Sequence, residues 1–443
     1  MAFPSNRLVA KSAILRRLAC FLLVGVVGGQ TALAASGFAP QARLGYKNGD
    51  QWEPAMAADA RGHLYVLYPQ YGSVSDCKAC TAPTIALLVS DDNGATWQPS
   101  RTILPFTTGQ FDPQIVVDPQ DRQTVYASWL QNDKRDVIVA RSLDFGRSWS
   151  FSVAERGQED ADKPVLAVRG ADVYVGFNHE ERFFVAASHD AGQTFNVVNV
   201  NPTDGPGWSL AGGATVDPAG DVFFGWTAYA KRDMAKQPVS IYVSRSTDSG
   251  RSWVTTLLDL SGAPPACALQ NCEAGYLGAQ IALASDASGA IYAAWNAGRS
   301  NGGPERIYFS SSTTSGATWS SHVSVSAAGG DVEHGFPAIV AGAAGDVRIA
   351  WMDARTTEEG HPRQHLWNTY YRSSTNGGAT WSPEVQLSSF ARGYEDYILR
   401  DGFRFPFGDY FGMAIDGSGN THAVWGEGFD YKSPGSIWYT RGR

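Results

Sequence analysis

The chain contains six copies of an eight-residue segment that ends in an aromatic residue. The copies lie at Ser90–Trp97, Ser142–Trp149, Ser188–Phe195, Ser246–Trp253, Ser312–Trp319 and Ser374–Trp381. Most copies follow an alternating apolar run, and each has glycine at its fifth position, which is typical of a hairpin turn because glycine adopts positive φ at little cost. Repeats at this spacing are typical of a propeller or a solenoid, so they constrain the fold before any catalytic residue is considered.

A carboxylate stands at the third position of four copies, as Asp92, Asp144, Asp190 and Asp248. Such a carboxylate accepts backbone N–H bonds within a turn. The fifth and sixth copies carry Thr314 and Asn376 instead, which also cap turns but have no carboxylate. This variation favours a structural role for the four aspartates over a catalytic one.

The pattern Ser-x-Asp-x-Gly-x-Thr-Trp resembles the Asp-box of the sialidase (neuraminidase) superfamily, which is also called the BNR repeat. The resemblance extends over the chain from Ser90 to Trp381. It implies a β-propeller. It does not by itself imply sialidase activity, because one fold hosts many functions.

A second repeat indicates the number of propeller blades. Two strands joined by a turn and ending in an aromatic residue occur seven times, at Pro54–Tyr68, Pro113–Trp129, Pro164–Phe177, Leu210–Trp226, Leu277–Trp295, Pro337–Trp351 and Asp409–Trp425. After the last unit comes only one strand, Ile437–Arg441, so Ala42–Lys47 is the expected fourth strand. We therefore predict an all-β, seven-bladed β-propeller of four-stranded antiparallel blades, closed by the N-terminal strand. The six-bladed sialidase-type propeller is the alternative.

The N-terminus has the pattern of an export signal. Basic residues precede the apolar stretch Leu18–Val27, and Ala32-Leu33-Ala34 provides a small-x-small cleavage site. We expect a signal peptide over residues 1–34, one propeller domain over 35–443, and export to the periplasm or the extracellular medium. Arg16-Arg17 leaves a twin-arginine signal open. No later segment has the length and apolarity of a membrane span.

Four cysteines follow the signal. In an exported protein they predict two local disulfides, Cys77–Cys80 and Cys267–Cys272, with a four-thiolate zinc site as the alternative. The formal charge of −8 argues against nucleic acid as a partner. We expect a monomer that binds a glycan or glycoconjugate and needs no cofactor, with structural Ca²⁺ left open.

The chemistry is expected on the face opposite the Asp-boxes, where the loops into the first strands meet those between the second and third strands. Resemblance to sialidases implies arginines that grip a carboxylate, a tyrosine nucleophile activated by a glutamate, and an aspartic acid. The matching candidates are Tyr410 and Glu333, Asp112 or Asp353 as the acid, and Arg355 with Arg404 for the substrate.

Three functions remain open. The first is a secreted sialidase-like glycoside hydrolase that acts on terminal, acidic sugars at the channel mouth. The second is a propeller that binds a glycan or a protein without catalysis. The third is a polysaccharide lyase on uronate-containing glycans, for which His179, His334, Tyr276 and Arg182 offer a base and a cation.

Overall fold

The computed structural model describes residues 37–179, 181–201, 208–230, 237–265, 278–358, 361–388, 394–395, 408, 410–428 and 435–443. The side chains of 356–358, 361–366, 394–395 and 428 are not described. The predicted signal peptide, Tyr276, Arg404 and the Cys267–Cys272 pair lie outside these residues. Within them, no helix has the length and apolarity needed to cross a membrane.

The first three blades each contain four antiparallel strands. The chain begins with β1 (Ala42–Leu44), which belongs to the last blade. Blade 1 contains β2 (Ala55–Ala58), β3 (Leu64–Gln70), β4 (Thr84–Ser90) and β5 (Arg101–Thr102). Blade 2 contains β6 (Phe111–Val117), β7 (Val125–Gln131), β8 (Asp136–Ser142) and β9 (Ser150–Glu155). Blade 3 contains β10 (Asp162–Arg169), β11 (Asp172–His179), β12 (Arg182–Ser188) and β13 (Asn196–Asn199).

The next three blades repeat this order. Blade 4 contains β14 (Trp208–Val216), β15 (Val222–Tyr229), β16 (Val239–Ser246) and β17 (Val254–Ser261). Blade 5 contains β18 (Ile281–Ser285), β19 (Ile291–Gly298), β20 (Glu305–Ser312) and β21 (Val323–Ser324). Blade 6 contains β22 (His334–Ala341), β23 (Val347–Glu358), β24 (His361–Ser374) and β25 (Val385–Gln386), and β26 (Tyr394–Glu395) also pairs with β24.

Blade 7 closes the ring with a strand from the other end of the chain. It contains β27 (Gly412–Ile415), β28 (Thr421–Gly428) and β29 (Gly435–Gly442), and β1 pairs with β29 in the antiparallel register Ala42↔Tyr439 to Leu44↔Ile437. In the described part of the chain the sheets therefore number seven, which confirms the predicted seven-bladed propeller and its N-terminal closure. The six-bladed alternative is wrong. Closure pairs an edge that would otherwise be left open.

Apolar side chains fill the boundaries between neighbouring blades. Trp129, Trp226, Trp295, Trp351 and Trp425, which end the second strands, are fully buried in these clusters. The cluster between blades 7 and 1 joins Leu44, Met56 and Ile437, so the core continues around the whole ring. Inner strands approach closely, and a Cβ at Gly213 would lie 2.4 Å from the backbone nitrogen of Leu283.

Each Asp-box forms the turn between the third and fourth strands of a blade. In the second box, Asp144 accepts hydrogen bonds from the Ser148 amide at 2.8 Å and from the Ser142 hydroxyl at 2.9 Å. The Ser148 hydroxyl also donates a hydrogen bond to Asp144, and this bond has the largest effect on its pKa. Together the three bonds lower the pKa of Asp144 to about 2. Asn376 accepts the equivalent bonds from Thr380 and Ser374 at 2.9 and 2.8 Å. The boxes therefore act as turn scaffolds, with or without a carboxylate.

Candidate functional site

The seven inner strands surround a central channel with a cavity of about 400 Å³. Residues of all seven inner strands line it, and most of them are of small or apolar types, such as Ala57, Val116 and Gly213. Lys163 and Tyr410 line its end on the face opposite the Asp-boxes. We call this end the mouth.

A strained backbone position recurs at the mouth. Glu53, Asp112, Lys163 and Phe336 have φ of 52°, 52°, 44° and 54°, and each precedes a proline that leads into an inner strand. In blades 2, 3 and 6 a break in strand register falls on these positions. Left-handed backbone at residues other than glycine is costly, and such strain and bulges cluster near functional sites.

Blades 1 to 3 use this position to place charged side chains together. Glu53, Asp112 and Lys163 are only 5, 6 and 8 % exposed. Lys134 Nζ lies 3.1 Å from Asp162 Oδ1 and 3.8 Å from Asp112 Oδ2. We call Glu53, Asp112, Lys134, Asp162, Lys163 and Tyr410 the mouth cluster.

The two aspartates of the mouth cluster approach the same ammonium group, that of Lys134. Burial opposes ionisation of Asp162, but Lys134, Lys163 and hydrogen bonding with Asp112 outweigh it, so the pKa of Asp162 is lowered. The same carboxylates, with Glu53, raise the pKa of Lys134 well above its ordinary value against the effect of burial. A carboxyl group beside a carboxylate holds its proton more firmly, because like charges oppose ionisation.

Tyr410 joins blade 7 to this cluster. Its hydroxyl donates to the backbone carbonyl of Pro113 at 3.3 Å, next to Asp112. Lys163 Nζ lies 5.8 Å from the centre of its ring. Two residues earlier, Gly408 has φ of 68°, and a Cβ there would lie 2.4 Å from Glu53 Cγ. Gly408 and Tyr410 therefore lie against the acidic side of the mouth.

A different group contains four of the predicted site residues, Glu333, His334, Asp353 and Arg355. We call these four residues, together with Ser326 and Glu384, the blade 6 network. Arg355 Nε donates to Asp353 Oδ1 at 2.8 Å, and another nitrogen of Arg355 pairs with Glu384. Trp351 donates to Asp353 at 2.9 Å, and Asp353 is fully buried. Asp353 and Arg355 thus hold each other inside blade 6.

Two further candidates of the blade 6 network are engaged at the same place. The buried His334 ring contacts the Ser326 hydroxyl at 2.7 Å and the Glu305 carbonyl at 2.9 Å. Burial lowers the pKa of His334, which keeps it neutral. Glu333 Oε2 accepts the amide of Glu305 at 2.9 Å.

The remaining candidates lie in blade 3 or outside the described residues. His179 and Arg182 pair across the turn between β11 and β12, where Arg182 is exposed. The His179 ring contacts the Glu159 carbonyl at 3.0 Å. Of the predicted site residues that the structure describes, Tyr410 and Asp112 come together in the mouth cluster. No group of three or more His, Cys, Asp or Glu in the described ranges is arranged to hold a metal ion.

Cys77 and Cys80 form a disulfide in the loop between β3 and β4, on the same face as the mouth. The sequence predicted this disulfide, and the structure confirms it.

At the start of that loop, Tyr71 packs against Trp52 with ring centres 4.7 Å apart. Burial, then the charges of Glu53 and Asp112, raise the pKa of Tyr71.

Lys134 and Tyr71 were not predicted as site residues. For Glu53 a signal existed, because Gln51-Trp-Glu-Pro54 and Gln110-Phe-Asp-Pro113 are the same pattern. Gln51 pairs with Gln70 at 2.8 Å and Gln110 with Gln131 at 3.0 Å, so the pattern builds the same local structure twice.

Comparison with known proteins agrees with this architecture. A model of the BNR repeat-like domain matches residues 38–277. No curated protein matches the chain. A crystal structure of a protein of unknown function from Dyadobacter fermentans is 12 % identical with a TM-score of 0.51, covering 91 % of this chain and 98 % of that one.

Two enzymes show weaker similarity. A Hadza microbial sialidase is 16 % identical with a TM-score of 0.47, covering 89 % of this chain and 66 % of that one. A PL25 ulvan lyase is 13 % identical, also with a TM-score of 0.47, covering 89 and 95 %. At such identities the similarity concerns the fold alone. The domain match spans more than half of the chain, which therefore belongs to the BNR repeat-like family.

Proposed function

We propose that the protein is an exported, sialidase-like glycoside hydrolase whose active site is the mouth cluster. One arrangement carries this proposal: at the opening of the channel the Asp112 and Asp162 carboxyl groups approach the Lys134 ammonium group, and the Tyr410 hydroxyl bonds to the carbonyl of Pro113, the residue after Asp112. Carboxyl groups and a tyrosine are the groups that glycosidases use.

The carboxyl pair acts as one acid–base unit. Two carboxyl groups that act on opposite faces of a sugar ring stand at least about 5 Å apart, whereas hydrogen bonding links these two. They are therefore not the acid and the nucleophile of one glycosidic bond. A pair with one shared proton has both a donor, the protonated Asp112, and an acceptor, the ionised Asp162.

Tyr410 supplies the nucleophile. Its oxygen bonds to the anomeric carbon while the glycosidic C–O bond breaks, Asp112 gives its proton to the leaving oxygen, and Asp162 takes the tyrosine proton. Water then bonds to the anomeric carbon and returns one proton to Asp112, while the tyrosine oxygen recovers its proton from Asp162. The pair holds one proton before, between and after the two steps.

The lysines favour an acidic sugar. Lys134 and Lys163 are the two cations of the mouth cluster. Arg355, by contrast, is held by Asp353 and Glu384. A lysine ammonium attracts a carboxylate as a point charge, without the fixed two-pronged geometry of arginine.

A second candidate function is binding of a glycan without catalysis. The observation that favours it is that Tyr410 donates to a backbone carbonyl and Asp162 pairs with Lys134, so each is already engaged within the protein. The lyase alternative has less support, since His334 is buried in the blade 6 network and the His179 ring contacts the backbone carbonyl of Glu159.

Turnover measurements test the proposal. Purified protein is assayed on an aryl sialoside, neutral aryl glycosides and uronic-acid polymers, beside Asp112→Asn and the matched control Asp172→Asn, whose carboxylate pairs with His189 on the Asp-box face. We expect sialoside hydrolysis that falls by about 10²-fold or more in Asp112→Asn and is unchanged in the control. Sialoside binding without turnover supports the second function, and unsaturated uronate products would establish the lyase.

A further inference from the structure

Lys134 lies in a turn of unusual conformation. Asn132, Asp133 and Lys134 connect β7 to β8 with φ of 57°, 54° and 64°. Three successive left-handed residues without a glycine are strained, and they persist only where the surroundings hold them.

Neighbouring loops hold this turn on both sides. Asp133 Oδ1 accepts the amide of Gly109 at 2.9 Å, in the loop that leads into blade 2. The Lys134 carbonyl accepts the amide of Ala161 at 3.0 Å, just before Asp162 in blade 3. The strained turn is thus fixed to the two loops that carry Asp112 and Asp162.

The ammonium group of Lys134 approaches the two carboxyl groups unequally. It lies 3.1 Å from Asp162 and 3.8 Å from Asp112, and 5.4 Å from the centre of the Phe111 ring. Because an opposite charge favours ionisation more strongly at shorter distance, the nearer carboxyl group is the one that loses its proton.

We propose that Lys134 is a positioning residue that makes Asp162 the ionised member of the pair and leaves the shared proton on Asp112. This assignment rests on the proposed function in one respect, namely that the proton on Asp112 is the one transferred to the leaving oxygen. Among the described residues, the other charged groups that face the pair are Glu53 from blade 1 and Lys163 from blade 3, and the titratable hydroxyl of Tyr71 interacts with Asp112.

Carboxyl protonation can be measured without any substrate. In protein carrying ¹³C-labelled aspartate, the Cγ signals of Asp112 and Asp162 are assigned with Asp112→Asn and Asp162→Asn, and their shifts are followed against pH. In Lys134→Met we expect the Asp162 midpoint to rise by about one pH unit or more. Lys134→Arg is expected to keep the low midpoint, because it keeps the charge.

Asn132→Gly is the control for the turn itself. It relieves one left-handed residue and leaves the ammonium group in place, so the midpoint is expected to stay where it is. Near-UV circular dichroism checks that each variant keeps its fold. An unchanged Asp162 midpoint in folded Lys134→Met and in Lys134→Gln would overturn the assignment.

Activity distinguishes this inference from the proposed function. If the protein hydrolyses the aryl sialoside, the acid limb of the pH–rate profile is expected to move to higher pH in Lys134→Met and to return in Lys134→Arg. If no substrate turns over but the midpoint moves, the role of Lys134 stands and the hydrolase proposal fails.

Discussion

The hydroxyl of Tyr410 donates a hydrogen bond to the backbone carbonyl of Pro113, which is 3.3 Å away and 297 residues earlier in the chain. The bond crosses from the segment before blade 7 to the first residues of blade 2. Blade 1 lies between these two blades, and β1 pairs with β29 in blade 7 where the ring closes. The mouth therefore combines residues from both ends of the closed ring.

Tyr410→Phe tests the role of this hydroxyl. The ring remains beside Lys163, so substrate binding should change little, whereas the oxygen that we propose as the nucleophile is lost. We expect kcat on the aryl sialoside to fall by about 10²-fold or more with KM within a few-fold of wild type. Equal kcat in the variant and the wild type would remove Tyr410 from the mechanism.

Arg355→Ala is expected to act on stability. The variant leaves Asp353 buried without its cation, which costs about 3–5 kcal/mol of unfolding free energy. Urea denaturation measures the loss. The matched control Arg182→Ala removes an exposed arginine and should stay within about 0.5 kcal/mol of wild type. A stable Arg355→Ala protein with a raised KM would instead support the substrate-binding role that the sequence predicted.

Glu305 should make stability depend on pH. It is fully buried, and burial raises its pKa well above the ordinary 4.5, although Asn296 and Ser261 bond to it. The folded state therefore holds this proton more tightly than the unfolded chain. The stabilisation from this proton is complete below about pH 4.5. It declines as pH rises above that value, by about 1.4 kcal/mol per pH unit until the folded pKa is reached.

Glu305→Gln removes that dependence, because an amide does not ionise. We expect the unfolding free energy of the variant, relative to wild type, to increase between pH 5 and pH 8. Glu427→Gln is the comparison, since burial also raises the pKa of Glu427. Parallel stability curves for Glu305→Gln and wild type would show that Glu305 is ionised in the folded protein.

Asp144 tests the Asp-box as a turn scaffold. Asp144→Ala loses the bonds to Ser142 and Ser148 and should lower the unfolding free energy by about 1 kcal/mol. Asp144→Asn should retain most of the wild-type unfolding free energy, because Asn376 makes the equivalent bonds in the sixth box.

The carboxylate of Asp144 also predicts a pH effect. Its pKa falls from 3.8 to about 2 in the folded protein, so its contribution is present above about pH 4 and is lost as pH falls toward 2. Equal acid stability of wild type and Asp144→Asn would contradict this prediction.

The blade count was predictable because it depends on local patterns. The Asp-boxes and the second-strand tryptophans recur in every few dozen residues, and packing repeats with them. The pairing of Asp353 with Arg355 was also predictable, since residues two apart on a strand point to the same side of the sheet. A prediction based on that alternation would have placed both in an ion pair.

The mouth cluster was only half predictable, because it depends on backbone conformations that the residue types do not demand. Nothing in Asn132-Asp-Lys134 requires three left-handed residues, and the contact with Asp162 exists only through them. Glu53 and Asp112 share a pattern that the sequence shows, but their burial beside Tyr410 comes from the closed ring.

Locating a bound sugar tests the central claim most directly. A crystal structure of Asp112→Asn soaked with N-acetylneuraminic acid is expected to show the sugar over the mouth, with its carboxylate beside Lys163 and its ring against Tyr410. A sugar bound on the Asp-box face, or an unoccupied mouth at concentrations that saturate hydrolysis by the wild-type protein, would contradict the assignment of the mouth as the site of glycan recognition.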